Sequence, residues 1–416
     1  MIWKAIINMR ILLLTLYFAP DVGANAVIVT ELAEELTALG HQVTVVTAFP
    51  HYASNVIDRR YLGRLIQQDE HNGIRIIRTY LYTSPKKQRF LVRFLNYVSF
   101  NVLSTLAGVF AGPQDVILAP SPPLTIGLSA YFISRIKGIP YIYNVQDIYP
   151  DVVVKLGILK NPLAIAFSHR LERFVYKHAL HITILSEGFR KNLISKGVPS
   201  KKLTIIPNFV DTEFIYPMPQ DNGFRRRFGL EGKFIVLYAG NIGHSQDLES
   251  VLECATLLNA KDDIIFVIVG NGSRKPFLEE RSRQLKISNV IFIPFQPWEA
   301  VPEIYAAADI SLVTLRKGIA QDSVPSKVYT IMASGRPIIA SVDEGSDVWQ
   351  LVKQVRCGLC IEPESPKVLA EAISNLYGDS ALRENMGKNG RMHVIQYYTP
   401  KAIGQQYHKL LTSLII

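Results

Sequence analysis

Short runs of Ile, Leu, Val and Ala recur along the chain, each followed by a longer stretch with helical periodicity. Residues 10–16, 43–47, 74–79, 116–119 and 141–145 are nearly continuous in apolar side chains rather than alternating. That is the pattern of parallel strands covered on both faces. Further strands are predicted at 182–185 and 203–206, with helices between them at 26–39, 89–111, 125–137, 162–177 and 187–196. A second series begins with a strand at 234–240. It runs through helix 248–259, strand 264–269, helix 277–285, strand 290–293, helix 300–307 and strand 310–313, and continues past 341 to a helix at 367–377. Strand and helix alternate throughout, so the chain is expected to be α/β, with two tandem doubly wound domains. Pro217, Pro219 and Gly223 fall in the segment 208–223, which suits a hinge. The expected domains are therefore 1–207 and 224–398. A last helix, 399–416, is apolar along one face and is expected to pack back towards the first domain. Ligands of such sheets bind at the carboxyl ends of the strands, so the two halves are expected to face each other across a cleft.

A chain of 416 residues is too long for one core and suits this division. Its 48% hydrophobic content excludes a disordered protein. The three cysteines make no disulfide framework and point to a reducing compartment. Cys357-Gly-Leu-Cys360 has redox spacing, but no second pair or nearby His accompanies it, so it reads as incidental. The net charge of +10 is unevenly spread: residues 1–210 hold 23 Lys and Arg against 12 Asp and Glu, and the remainder 22 against 23. A basic first half suits nucleic acid, an anionic membrane surface or a phosphorylated substrate. No nucleic-acid-binding motif accompanies the charge. The stretch from Lys86 to Tyr97 is basic and aromatic at helical spacing. It suits docking on an anionic bilayer or, somewhat better on sequence alone, a core helix with a solvated basic end. Residues 90–112 come nearest to a membrane span but are interrupted by Arg93, Asn96, Asn101 and Ser104. Residues 10–16 read as a buried strand rather than a signal peptide, because no small-residue cleavage site follows.

Chemistry gathers at strand ends. Gly240-Asn241-Ile-Gly243 follows the first strand of the second series and opens a helix, as an anion cradle would. No Gly-Lys-Ser/Thr follows, so it is not a Walker loop. Gly270-Asn271-Gly272-Ser-Arg274 ends another strand of the same sheet, with Arg274 as a cation. Pro325-Ser326-Lys327 sets a hydroxyl and an ammonium at the start of a helix that closes at Gly335. Each loop alone also suits an ordinary βα turn; three on one sheet point to a phosphate-bearing ligand. In the first series Gly23 precedes a helix, but Gly-x-Gly-x-x-Gly is lacking, which argues against a dinucleotide dehydrogenase. Asp147, just past the strand at 141–145, suits a base or hydroxyl binder, or a turn aspartate.

Taken together these segments resemble the retaining, nucleotide-sugar-dependent glycosyltransferases of family 4, which have the GT-B fold. The resemblance runs through the segment Arg10 to Pro20, Gln146-Asp147-Ile-Tyr-Pro150 and Ile206-Pro-Asn. It continues through Gly240-Asn-Ile-Gly243, Val269-Gly-Asn-Gly272 and Pro325-Ser-Lys through Gly335-Arg-Pro337. Within the family the chain resembles the bacterial L-fucosamine transferases that act on polysaccharide and O-antigen precursors. The resemblance implies a donor site in the second domain and an acceptor site in the first. Gly240, Asn241, Gly243, Gly270, Asn271 and Gly272 would line the diphosphate site. Ser326, Lys327 and Arg274 would meet the phosphates, and Phe295 and Gln296 the base. Gly23 would approach the donor phosphate, and Asp147 the reacting sugar. The wider family carries Arg and Lys where this chain has Asn241 and Gln246, and two Glu where it has Asp322 and Thr330. Lys327 would then supply the main charge, with Asp322 as the remaining acidic donor contact. No cofactor or metal is implied. The expected partners are a nucleotide sugar, a lipid-linked glycan acceptor and an anionic membrane surface, at the inner face of the cytoplasmic membrane. A nucleotide-sugar epimerase of the same fold and a non-catalytic sugar or lipid binder remain as alternatives.

Overall fold

The computed structural model describes residues 8–52, 56–84 and 90–415. Lys86, Lys87 and Arg89, on which the expected basic docking segment turned, lie outside the described residues. The chain divides into two compact units. One comprises Met1–Val154, Leu159–Asn208 and Pro400–Ile416, the other Lys155–Ile158 and Phe209–Thr399.

The first unit opens with β1 (Arg10–Leu14), α1 (Ala24–Ala38), β2 (Gln42–Ala48), β3 (Ile66–His71) and β4 (Ile74–Thr79). There follow α2 (Phe90–Val109), β5 (Val116–Pro120), α3 (Ile126–Lys137), β6 (Tyr141–Val145) and α4 (Asp151–Lys155). Next come α5 (Pro162–His178), β7 (His181–Ile184), α6 (Glu187–Ser195) and β8 (Leu203–Ile205). The sheet order is β3-β4-β2-β1-β5-β6-β7-β8. Its centre is dry: Ile11, Leu12, Leu13 and Leu14 are all fully buried. Leu12 pairs with Thr44 on one side and Ile117 on the other, both parallel. The edge strand β3, the one antiparallel member, was not expected. Its sequence Ile-Gln-Gln-Asp-Glu-His is polar because one side of it faces solvent. It is held by Arg78 Nε donating to Asp69 Oδ2 at 2.6 Å.

The second unit contains α7 (Gly223–Phe228), β9 (Phe234–Ala239), α8 (Leu248–Leu257), β10 (Ile264–Val269), α9 (Lys275–Gln284) and β11 (Val290–Ile293). It continues with α10 (Val301–Ala306), β12 (Ile310–Thr314), α11 (Lys327–Ala333), β13 (Ile338–Ser341), α12 (Asp347–Val355), β14 (Gly358–Ile361), α13 (Pro366–Gly378) and α14 (Ser380–Tyr397). All six strands are parallel, in the order β11-β10-β9-β12-β13-β14. The last helix, α15 (Pro400–Ile415), belongs to the first unit, where Gly404 lies against the Glu35 side chain.

The second unit starts earlier than residue 224. Residues 209–223 are fastened to it by backbone and buried polar bonds. Val210 N–H donates to Tyr398 O at 3.0 Å, Arg391 Nη1 to Ile215 O at 2.8 Å, and Asn222 Nδ2 to Glu303 O at 2.9 Å. Asp309 completes the fastening by accepting from Gln220 Nε2 at 3.1 Å, and it is itself held by Arg225 Nη2 and the Ile235 N–H, both at 2.8 Å. The prolines of this segment therefore lie along a structured edge.

Candidate functional site

The site is built where β9 and β10 end. Gly240 and Gly270 have φ of 141° and 145°, a backbone shape that L side chains rarely adopt. The two loops also press on each other. A Cβ on Gly270 would lie 1.9 Å from Gly240 O, and one on Gly272 would lie 2.2 Å from Ile242 O. Ile242 N–H donates to Asn271 O at 2.9 Å, and Arg274 N–H to Ile242 O at 3.0 Å. The glycines expected to line a diphosphate site are thus brought into one backbone surface, with Asn241 and Asn271 upon it. Gln246 Oε1 accepts from the Gly243 N–H at 3.1 Å and closes the first loop.

Lys327 enters this surface from the first residue of α11. Its Nζ lies over the Tyr238 ring, 3.6 Å from the centroid, and faces Gly240, where an added Cβ would sit 3.0 Å from it. The residue as a whole is half-buried, but Nζ is shielded from solvent and makes no hydrogen bond among the described residues. Burial alone lowers its pKa to about 7. A shielded ammonium held by a ring face, with no carboxylate beside it, is unusual, because buried charges are ordinarily paired. Ser326 precedes it at the N-cap, with no side-chain cap bond of its own. The helix is only seven residues long, so its dipole adds little to the charge of Lys327.

Two further cations gather beside the first loop. Arg274 Nη2 and Arg316 Nη2 both donate to Glu249 Oε1, the second at 2.7 Å. Arg316 N–H also binds Ser245 O at 2.9 Å. His244 lies among them, its pKa lowered by burial first and then by Arg274 and Arg316. Glu249 and Tyr238 were missed from sequence. Tyr238 stands two residues before Gly240 on β9, so the alternation of strand side chains was the available signal. Glu249 offered none, since its partners are 25 and 67 residues away.

Other expected residues stand apart from this group. Phe295, exposed, and Gln296, half-buried, follow β11, with Gln296 Nε2 donating to Pro294 O at 2.9 Å. Asp322 is fully buried, its carboxylate 2.5 Å from Lys155 Nζ. In the first unit Asp147 lies just past β6, half-buried. The preceding Gln146 is braced by Asn208 Nδ2 at 2.8 Å and Asn144 Oδ1 at 2.6 Å. Gly23 caps α1, and an added Cβ there would lie 2.6 Å from the Tyr52 ring. Cys357 and Cys360 are free, and burial pushes their thiols up to about 12 and 11, which suits packing rather than redox chemistry.

Among the described residues, Asp151, His169 and Glu172 bring one ligand atom each within 4.8 Å of the others. A lysine already fills the cation's role there. Lys196 Nζ sits 2.9 Å from Asp151 Oδ2 and 2.6 Å from Glu172 Oε1.

Residues 23–208 match the model of the glycosyl transferase 4-like domain, and 221–393 that of the glycosyl transferases group 1. The chain is 28% identical over 374 residues to WcaI of Escherichia coli K12, a glycosyl transferase named for colanic acid biosynthesis. That match covers 88% of this chain and 91% of the relative. Among solved structures, sucrose-phosphate synthase of Thermosynechococcus elongatus superposes with a TM-score of 0.78 at 19% identity, over 98% of this chain and 99% of that one. HepE of Anabaena, solved in complex with UDP-glucose, gives 0.73 at 16% identity, over 98% and 100%. The chain is therefore a glycosyltransferase of the GT-B fold, composed of a glycosyl transferase 4-like domain followed by a group 1 glycosyl transferase domain.

Proposed function

We propose that the enzyme transfers a sugar, with retention, from a nucleotide diphosphate sugar to a lipid-linked glycan acceptor in cell-surface polysaccharide synthesis. The donor is read as UDP-linked, with an N-acetylated amino sugar, and the acceptor as polyprenyl-diphosphate-linked and presented at the inner face of the membrane. The observation that carries the donor half is Lys327 Nζ, a shielded cation with no hydrogen-bond partner among the described residues, beside a glycine-lined backbone surface. An anion at that surface would supply the missing partner. HepE, a fold neighbour, was solved with UDP-glucose, which agrees with a donor of this class.

In this reading the second unit holds the donor. The loops of Gly240, Asn241, Gly243, Gly270, Asn271 and Gly272 receive the diphosphate, with Ser326, Lys327 and Arg274 meeting its charge and Phe295 and Gln296 the base. Asp322 contributes through its pair with Lys155. The bond from the anomeric carbon to the diphosphate oxygen breaks, and its electron pair goes to the leaving diphosphate. Lys327 stabilises that charge as it develops. The acceptor hydroxyl attacks from the same face and passes its proton to the leaving phosphate. Asp147 orients the reacting sugar, and Gly23 admits the donor phosphate on the side of the first unit.

Donor turnover and transfer by Lys327→Ala and Asp147→Ala test the assignment. Loss in both is expected; full activity in both would sink it. A product that is the epimer of the donor, formed without acceptor, would favour the epimerase instead. Thermal stabilisation across a panel of nucleotide sugars identifies the donor.

A further inference from the structure

Three helices of the first unit, α2, α3 and α5, stand side by side. Asn101 Nδ2 on α2 donates to Thr125 Oγ1 before α3 at 2.7 Å, and Tyr131 on α3 makes edge contacts with Phe174 and His178 on α5 at 4.8 and 4.9 Å. Each buries one face, through Phe100 and Ala107, Ala130 and Ile133, and Val175 and Tyr176. Their outer faces are apolar too. Leu95, Val98, Val102 and Leu106 are exposed along α2, and steps of three and four residues put them in one stripe. Phe110, 80% exposed, extends it. Phe132 and Ile136 continue the surface on α3, and Leu163 and Phe167, 81% and 67% exposed, on α5. Large exposed apolar side chains gathered on neighbouring helices mark an interaction site.

Charge selects the partner. Neither α2 nor α3 contains an Asp or Glu, and the one acid of α5, Glu172, is buried against Lys196. Arg135, Arg170, Arg173 and Lys177 are exposed on α3 and α5. The outer face is thus apolar with a rim of cations. A second copy of the chain would set these cations against one another, whereas an anionic leaflet would meet them with phosphates while the apolar side chains enter its acyl boundary. No described helix is long and apolar enough to cross a membrane, so the contact is with one leaflet.

We infer that the α2–α3–α5 face docks on an anionic lipid leaflet, through Val102, Leu106, Phe132, Leu163 and Phe167 with Arg170 and Arg173 at headgroup depth. This rests on the reading of a lipid-linked acceptor and names the surface that would hold the enzyme in the acceptor's plane.

Flotation of the whole protein with phosphatidylglycerol–phosphatidylcholine vesicles, and with phosphatidylcholine alone, tests it. The protein is expected to float with the anionic vesicles and to do so less in high salt. Phe132→Ser/Leu163→Ser/Phe167→Ser should weaken binding about tenfold or more, since each side chain loses its burial in lipid. Arg170→Glu/Arg173→Glu should weaken it by about tenfold as well. All five positions are exposed, and circular dichroism checks that the variants fold. Absence of flotation, indifference to lipid charge, or variants that bind as wild type would overturn the docking surface. So would a dimer in sedimentation velocity that the serine variant dissolves while vesicles are ignored. Donor hydrolysis without lipid is measured in parallel. It should be unchanged in these variants, so loss of vesicle binding is separable from failure of the transferase reading.

Discussion

Gly23 and Gly240 hold matching places, each between the first strand of its sheet and the helix that follows, yet they face opposite chemistry. Gly23 lies against the Tyr52 ring, which itself stands edge-on to Tyr17 at 5.3 Å. Gly240 lies against the ammonium of Lys327. Gly23 has an extended backbone, φ −70° and ψ 152°, that any residue adopts, whereas Gly240 has φ 141°. In the first unit the glycine is required by a movable neighbour. In the second it is required by its own backbone, and the loop is shaped before any ligand arrives. The same position in a doubly wound sheet lies against an aromatic ring in one half and against an ammonium in the other.

Substitutions can break or sharpen this contrast. The largest effect is expected at Gly270, where φ is 145° and the obstacle is a backbone oxygen. Gly270→Ala should cost about 4 kcal/mol or more in urea unfolding. Gly23→Ala should cost only about 1 kcal/mol, because a ring can shift. Equal costs would erase the distinction. Next comes Lys327→Ala, expected to lower kcat/KM by about 100- to 1000-fold, as loss of one group that stabilises developing charge does. Stability should rise by about 1 kcal/mol in the same protein, because a shielded, unbonded charge has gone. If unfolding shows stability falling together with activity, Lys327 is a packing residue like Tyr52.

The third effect concerns pH. The folded pKa of Lys327 is lowered to about 7 from an ordinary value near 10.5. Between these values the unfolded chain binds more protons than the native one, so this group makes stability rise with pH across that window. An anionic ligand favours the charged form, so binding takes up a proton above pH 7. UDP affinity should fall by up to about tenfold, or 1.4 kcal/mol, per pH unit there. Calorimetry in buffers of different ionisation enthalpy counts the proton, and a count of zero at pH 8 would refute the coupling. The smallest effect is a double-mutant cycle. Tyr52→Ala should remove the cost of Gly23→Ala, a coupling of about 1 kcal/mol. Lys327→Ala should leave Gly240→Ala destabilising, since the strain there lies in φ.

Much of the sheet architecture could be read from the apolar runs because parallel strands buried on both faces need no alternation. Polar elements escaped. Besides β3, the helix α14 carries Gly387 and Gly390, which look like helix breakers. In the fold they allow close packing: a Cβ on Gly387 would meet Gly335 O at 2.1 Å, and one on Gly390 the Met332 side chain at 3.3 Å. The strand β14 was passed over because Gly358 and Cys360 interrupt its apolar pattern, and the helix α12 before it was passed over too. At the site, Lys327 and the glycine loops could be found because local backbone demands leave glycines in the sequence. Tyr238 beneath Lys327 was signalled only by its alternation with Gly240 along β9, and its contact with Lys327 depends on strand order. Glu249 between Arg274 and Arg316 could not be found in that way, since its partners are distant in sequence.

Lys196, between Asp151 and Glu172, has a consequence for the segment that leads from Asp147 into α4. A metal ion at such a trio would exchange with solvent, compete with other ions and leave with a chelator. A lysine is delivered by the chain itself, one per molecule, and cannot be exchanged. The lysine offsets part of the carboxylates' charge from the moment the unit folds, with no ion drawn from the surroundings.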